Sequence, residues 1–173
     1  QIVLRICLAA FEEGILRKKI SYRRRRPRVD RKGSYTLAEC RAIWSILDQA
    51  RLPSECPERL PFWRCLIAAL FYTGMRAGAA LSLRQSMFSL RKGQRWLVVP
   101  GSVNRKTHKE WEGPVHPLFA ETVAAINTEE LFPQPWRQDC LGKESLRLAT
   151  LAGVERPMRL HVWRRVHAEQ LGE

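Results

Sequence analysis

A long apolar run over residues 62–72, broken only by Arg64, constrains the fold of this chain more than any other feature. A helix that is apolar around most of its circumference is stable only when other elements cover it. Gly74 lies just past the run, and glycine commonly ends a helix. The charges of Arg64 and Arg76 leave the stretch between them shorter than the roughly 18 uncharged residues of a membrane-spanning helix. The run therefore predicts a well-buried helix of a globular domain.

Helical patterns also occupy much of the remaining sequence. Thr36 followed by Glu39 is a capping box, and apolar residues at helical spacing continue from there. The same spacing, bounded by proline and glycine, predicts further helices. The first predicted helix begins at Ile2 and ends near Gly14 or shortly after it. The others cover residues 36–50, 62–72, 75–83, 117–126 and 143–153, with a last one starting near Leu160. In the helix over 143–153 the predicted buried residues are Leu146, Leu148, Ala149 and Leu151.

A small antiparallel β-hairpin is predicted between the helices. Residues 96–99 are aromatic and β-branched, residues 113–118 form a second short extended stretch, and residues 104–110 between them are polar. The order along the chain is then helices, a small sheet and helices again. The predicted fold class is α+β, mainly helical, with one small antiparallel β-sheet or hairpin between the helices.

Basic residues outnumber acidic ones, with 30 Lys and Arg against 17 Asp and Glu, which gives a formal net charge of +13. Such an excess favours a polyanionic partner, first of all nucleic acid, although charge alone does not separate DNA from RNA or from an anionic membrane surface. The charge is densest over residues 21–33, which show no hydrophobic periodicity and are interpreted as a linker. Two interpretations of its arginines are equally open: they are either exposed to solvent without a specific role, or they contact a phosphate backbone. They include Arg23, Arg24, Arg25 and Arg26.

The cysteines are odd in number, and no two have the spacing of a metal finger. We therefore expect free thiols in a reducing compartment, packed as small hydrophobic residues. No Asp or Glu cluster has the spacing of a two-metal nuclease, so neither a metal nor another cofactor is expected. The cysteines are Cys7, Cys40, Cys56, Cys65 and Cys140.

Four basic residues stand in motifs that resemble those of one enzyme family, the tyrosine recombinases of the phage-integrase type. TGMRAGAALSL, which contains Arg76, is similar to the segment of the family's first catalytic arginine. RKTHK, followed by VHPL, resembles the family's β-hairpin lysine and next strand, with Lys106 the matching lysine and Lys109 the less favoured one. LHVWRR resembles the family's His-x-x-Arg helix and supplies His161 and Arg164. No motif is specific alone; their combination, spanning residues 36–173, carries the resemblance.

The resemblance implies a tyrosine-recombinase catalytic-domain fold and a site-specific recombinase or integrase that cuts and rejoins duplex DNA. Residues 1–20 would be the end of a helix of a preceding core-binding domain, residues 21–35 a basic interdomain linker, and residues 36–173 the catalytic domain, truncated at its C-terminus. The DNA-binding residues would include the linker arginines, residues 23–26, and Lys109.

The chemistry explains why such residues belong together. Transesterification at a phosphodiester passes through a five-coordinate phosphorus with extra negative charge, which fixed cations stabilise. Guanidinium groups suit this task, so Arg76 and Arg164 are the candidate charge stabilisers. Positions i and i+3 share a helix face, so His161 should lie beside Arg164 and handle a proton. By resemblance, Lys106 would protonate the leaving 5′ oxygen.

Three departures from the family pattern stand out. The second histidine or tryptophan and the nucleophilic tyrosine, which follow the His-x-x-Arg motif in the family, are absent, so we expect a truncated chain that is inactive alone. Tyr22, Tyr35 and Tyr72 all precede the motif, and none is assigned as nucleophile. Ala79 stands where the family usually has an acidic residue, and Trp163 where the motif usually has leucine. The remaining candidates are interpreted as packing residues, namely His167, Trp44, Trp63, Trp96 and Trp163.

Two alternatives stay open. One is a catalytically inactive, integrase-derived DNA-binding remnant, suggested by Ala79 and the missing tyrosine. The other is a helical RNA-binding protein in which the four basic residues coincide by chance. The leading interpretation implies duplex DNA as partner, with a homo-tetramer on DNA left open and no membrane or metal involved. It also implies a cytoplasmic protein, either bacterial and nucleoid-associated or encoded by a phage or mobile element.

Overall fold

The computed structural model describes residues 33–54, 56, 58–103, 108–132 and 138–170. The first predicted helix, which begins at Ile2, and the linker arginines lie outside these residues. Ser34–Glu173 form one compact unit. Its described elements, in chain order, are α1 (Leu37–Ser45), α2 (Arg59–Thr73), α3 (Ala77–Ala80), β1 (Phe88–Arg91), β2 (Gln94–Val99), β3 (Trp111–Pro114), α4 (Pro117–Ala124), α5 (Gln138–Leu151) and α6 (His161–Gln170). The mainly helical α+β class predicted from the sequence is confirmed.

Helix α2 is the centre of the core, as its apolar sequence predicts. The side chains of Trp63, Cys65, Leu66 and Ala69 are fully buried. The helix contacts both α4 and α6, which cover it from two sides. Burying one large aliphatic or aromatic side chain stabilises a fold by about 1.5–3 kcal/mol, so this helix contributes much of the driving force for folding.

The end of α2 is a left-handed turn that aims the next residues outward. Gly74 has φ 61°, a conformation that glycine adopts without the steric cost of a Cβ atom, and its N–H donates to Leu70 O at 3.1 Å. The Thr73 hydroxyl donates to Ala69 O at 2.6 Å and accepts from Met75 N at 3.3 Å. Arg76 follows as the N-terminal cap residue of α3 and is exposed.

Helix α1 begins with the predicted capping box. The Thr36 hydroxyl accepts from the Glu39 N–H at 3.2 Å, and the Glu39 carboxylate accepts from the Thr36 N–H at 2.7 Å. The α-helix is shorter than the predicted residues 36–50, because a single 3₁₀ turn, Leu47–Gln49, replaces its last turn. Cys40 and Ile43 lie on its buried face.

The sheet has three antiparallel strands in the order β1–β2–β3, and the predicted hairpin was incomplete. Strand β1 was missed because it is short and mostly exposed. Lys92 and Gly93 join it to β2 with φ 50° and φ 78°, the two positive values that a tight hairpin turn requires. The strand predicted over 113–118 was also misplaced: β3 is Trp111–Pro114, and Pro117 already begins α4.

Helix α5 begins earlier than the predicted residue 143 and buries a different stripe. Leu148 and Ala149 are buried as predicted, but Leu151 is 52% exposed, and Leu141 and Glu144 are buried instead. The Glu144 carboxylate accepts from Arg147 at 2.7 and 2.9 Å and from the Arg51 backbone N–H at 2.6 Å. Burial alone would raise the pKa of this carboxyl, but these hydrogen bonds outweigh it and hold the pKa below its ordinary value.

Helix α6 closes the described structure against α2. Val162, Trp163 and Val166 are buried, and Trp163 meets the rings of Tyr35 and Phe71 edge to face. The Tyr35 hydroxyl donates to Met158 O at 2.9 Å and accepts from Met158 N at 2.7 Å, which ties the segment before α1 to the segment before α6. Since one face of α6 is fixed in the core, Arg164 on the other face is exposed.

Candidate functional site

Two of the four predicted basic residues line the same cavity. It has a volume of about 400 Å³ and lies between the α2–α3 turn, strands β2 and β3, and α6. We call it the arginine cavity. Its lining residues are Thr73, Gly74, Met75, Arg76, Ala79, Val99, Trp111, Arg164, His167 and Ala168.

Arg76 and Arg164 are exposed, and within the described ranges neither has a hydrogen-bond or ion-pair partner. Other arginines of the domain do have carboxylate partners: Arg84 pairs with Glu130 at 3.1 Å, Arg91 with Glu112 at 3.2 Å and Arg147 with Glu144 at 2.7 Å. Two guanidinium groups in one cavity repel each other unless an anion lies between them. The arrangement is therefore suited to binding an anion such as a phosphodiester.

The fold explains why two residues far apart in the sequence come together. Arg76 is placed by the left-handed turn at Gly74, and Arg164 by the buried face of α6. Helices α2 and α6 pack directly against each other, so the turn at the end of α2 lies beside α6. Ala79, on α3, also lines the cavity, and none of the lining residues is acidic.

Of the other predicted site residues, the structure describes His161 and Lys109, and neither is among the lining residues given above. His161, the first residue of α6, is exposed and lines a neighbouring cavity with Ala77 and Asp139. Lys109 is exposed and lies just before β3. Lys106 and the linker arginines, residues 23–26, lie outside the described residues, so their roles stay predictions, as does the role of His161.

Two lining residues were not proposed as functional from the sequence. Trp111 is 37% exposed, and its ring lies against Gly113, whose added Cβ would be 3.2 Å from it. His167, interpreted as a packing residue, is only partly buried, and its Nδ1 lies 2.7 Å from Phe71 O. A weak signal for His167 was available, because it stands one helical turn after Arg164.

Two tyrosines and two cysteines are packed within the domain. Tyr35 is 1% exposed, and Tyr72 stacks on His116 with ring centroids 4.0 Å apart; burial raises the pKa of both phenols. Burial likewise raises the pKa of the Cys40 and Cys65 thiols to about 12, with Glu39 adding to the effect at Cys40. None of these groups lines the arginine cavity. For Cys40 and Cys65 the prediction of buried thiols is confirmed.

In the part of the chain that the structure describes, no three His, Cys, Asp or Glu residues are grouped as a metal ion would require. Within the same residues, no helix is both long and apolar enough to cross a membrane.

The fold is similar to that of solved site-specific recombinases. XerH recombinase bound to difH substrate, in a pre-cleavage complex, matches with a TM-score of 0.64 and 20% identity, over 96% of this chain and 52% of that one. Its post-cleavage complex with a palindromic difH substrate matches with a TM-score of 0.63 and 19% identity, over 96% and 54%. XerA recombinase matches with a TM-score of 0.60 and 15% identity, over 97% and 59%. No protein-family model and no curated protein sequence matches the chain.

The described domain thus has the fold of site-specific recombinases, which confirms the fold expected from the resemblance. At this level of identity the likeness establishes the fold alone. The chain spans a little more than half the length of the recombinase structures it matches.

Proposed function

We propose that this domain binds duplex DNA and that Arg76 and Arg164 hold the phosphodiester at which a site-specific recombinase cuts and rejoins the strand. The observation that carries the proposal is the convergence, on one cavity of a recombinase fold, of two exposed arginines that have no carboxylate partner among the residues that the structure describes. The net charge of +13 supports a polyanionic partner, since each phosphate that the protein neutralises releases counterions.

The proposed reaction is a transesterification. A tyrosine oxygen attacks the phosphorus, a 3′-phosphotyrosyl bond forms, and the bond to the 5′ oxygen breaks. Arg76 and Arg164 bind the two non-bridging oxygens, where charge increases in the five-coordinate state. Lys106 donates a proton to the leaving 5′ oxygen, and His161 accepts the proton that the attacking tyrosine hydroxyl loses. Attack by a 5′ hydroxyl on the phosphotyrosyl bond reverses these steps and rejoins DNA.

The alternative within the same fold is an inactive DNA-binding remnant. It is favoured by Ala79, which leaves Arg76 without the acidic neighbour that is usual in the family. A remnant would keep the affinity that the arginine cavity gives for DNA and would form no covalent link.

DNA binding is tested with Arg76→Ala and Arg164→Ala against Arg84→Ala, by fluorescence anisotropy on a labelled duplex. Each substitution removes one positive charge, but Arg84 is already paired with Glu130 away from the cavity. Losing a charge-assisted hydrogen bond to phosphate should weaken binding at least about ten-fold, while the control should change it little. Equal losses in all three variants would contradict a specific phosphate site.

The strand-cutting step is tested on a duplex with a nicked suicide site, with the protein as its gene encodes it. A covalent protein–DNA adduct that disappears in Arg164→Ala supports the recombinase. Arg76→Lys keeps the positive charge but cannot form a bidentate hydrogen bond to phosphate. The yield of the covalent adduct should therefore fall far more than the affinity for DNA. Specific binding without any adduct would identify the inactive remnant.

Preference for single-stranded RNA would favour the third interpretation, the helical RNA-binding protein. In that case Arg76→Ala and Arg164→Ala should have no larger effect than Arg84→Ala. A competition experiment that titrates unlabelled single-stranded RNA and duplex DNA against the labelled duplex separates the two classes.

A further inference from the structure

We propose that His167 is a third anion-binding group of the arginine cavity, and that its Nε2–H donates to a phosphate oxygen held between Arg76 and Arg164. This inference rests on the proposed function and adds a positioning residue to it. The sequence alone indicated only a packing role for this histidine.

The first step is the tautomer of the ring. His167 Nδ1 lies 2.7 Å from Phe71 O. A carbonyl oxygen only accepts hydrogen bonds, so the proton of this contact is on Nδ1. Phe71 is in the last turn of α2, where carbonyl groups lack a partner within the helix. The contact therefore satisfies a helix end and fixes the ring orientation at the same time.

The second step is the direction of the other nitrogen. A Cβ atom added to Gly74 would lie 2.3 Å from His167 Cδ2 and 2.9 Å from Nε2. The Cδ2–Nε2 edge of the ring thus rests on the turn that carries Arg76. His167 is also one helical turn after Arg164 on α6, so both residues lie on the same side of that helix, and both line the arginine cavity.

The third step is the charge around the ring. Arg76 and Arg164 are the charged groups among the residues lining the cavity, and both are cationic. Within the described residues Nε2 has no hydrogen-bond partner. A bound phosphate offsets the repulsion between the two guanidinium groups and offers an acceptor to the imidazole ring.

The test compares two amides that mimic different nitrogens of the imidazole. The substitution His167→Asn places an amide near the position of Nδ1 and can keep the bond to Phe71 O. The substitution His167→Gln places an amide near the position of Nε2 and can keep the bond to phosphate. The probes are inorganic phosphate and a duplex DNA. The control is His116→Asn, because His116 is the N-terminal cap residue of α4 and does not line the arginine cavity.

If His167 contacts the anion, the glutamine variant retains binding of both probes, whereas the asparagine variant loses about ten-fold in affinity. Retention by the asparagine variant alone, or by both variants, overturns the proposal, because His167 would then only support the end of α2. A second measurement on the unaltered chain covers the case in which both variants lose binding. The ¹⁵N signal of His167 Nε2 should shift as phosphate is added, because a phosphate oxygen then contacts this nitrogen, and an unchanged signal overturns the proposal.

The same data separate this inference from the function on which it rests. If the unaltered chain binds neither probe in an Arg164-dependent way, the proposed phosphate site itself is wrong. If binding depends on Arg164 but is indifferent to His167, only the role of His167 is wrong.

Discussion

The position of Gly74 requires both a left-handed backbone and the absence of a Cβ atom. Its backbone has φ 61°, and the space where a Cβ would lie is filled by the His167 ring. A residue with a Cβ atom would meet both obstacles at this position, the backbone strain and the collision with the ring. The turn that aims Arg76 at the cavity therefore depends on the absence of a side chain.

Gly74→Ala should destabilise the domain more than the left-handed backbone alone explains. The backbone term is about 1 kcal/mol, and displacing the ring adds to it. Gly153→Ala is the matched control, because Gly153 has φ 76° but nothing lies within 4 Å of its added Cβ. Urea unfolding of both variants measures the difference, and equal losses would show that the ring moves aside freely.

Glu144 should make the stability of the domain depend on pH in the acid range. Its folded-state pKa is below the ordinary value of 4.5, so the carboxylate contributes stability above that pH, and the contribution is lost as pH falls. Glu144→Gln should therefore cost about 2 kcal/mol at neutral pH and less in acid. Denaturant titrations at several pH values test this, with Glu130→Gln as the exposed-pair control that should cost under about 1 kcal/mol.

Residues of the site differed in how far the sequence could predict them. Arg76 and Arg164 stand in motifs whose order is informative, and the structure brings both to one cavity. Trp111 gives no such signal, because its contribution depends on the pairing of β3 with β2. His167 has a helical spacing that suits either core packing or a cavity, and only the position of Phe71 O separates the two.

Among the secondary-structure elements, the start of a helix could be predicted where its side chains form hydrogen bonds to backbone groups close in sequence. The capping box of α1 uses residues close in sequence, so it can be recognised without the fold. Strand β1 was missed because its stability comes from pairing with β2, as Phe88 opposite Leu97, rather than from an apolar pattern of its own. The predicted buried stripe of α5 was wrong in part, because Glu144 is buried where it pairs with Arg147, while Leu151 is exposed.

Thr36→Ala should destabilise α1 by about 1 kcal/mol, since it removes the side-chain acceptor for the Glu39 N–H. Thr36→Ser keeps that acceptor and serves as the control. Thermal unfolding followed by circular dichroism measures both variants. A loss in the serine variant as large as that in the alanine variant would mean that the methyl group, not the cap, is responsible.

For the whole molecule, the charge excess predicts that DNA affinity falls steeply with salt. If about six phosphates are neutralised, the slope of log affinity against log salt should be about −5. Arg164→Ala should make the slope shallower by about one, because one phosphate contact is lost. Anisotropy titrations across a salt series give both slopes. A slope near zero would exclude backbone phosphates as the main contacts.

Because α6 must pack on α2 to form the arginine cavity, the cavity exists only in the folded domain. Arg76 and Arg164 share it only while α6 stays docked, so a chain that has lost this contact has no place for the anion. Any ligand that needs both arginines must then protect the native state against heat. At a hundred times its dissociation constant, it should add about 2.7 kcal/mol of stability. Ligands of the cavity can therefore be identified by the rise in melting temperature that they cause, before any reaction is known.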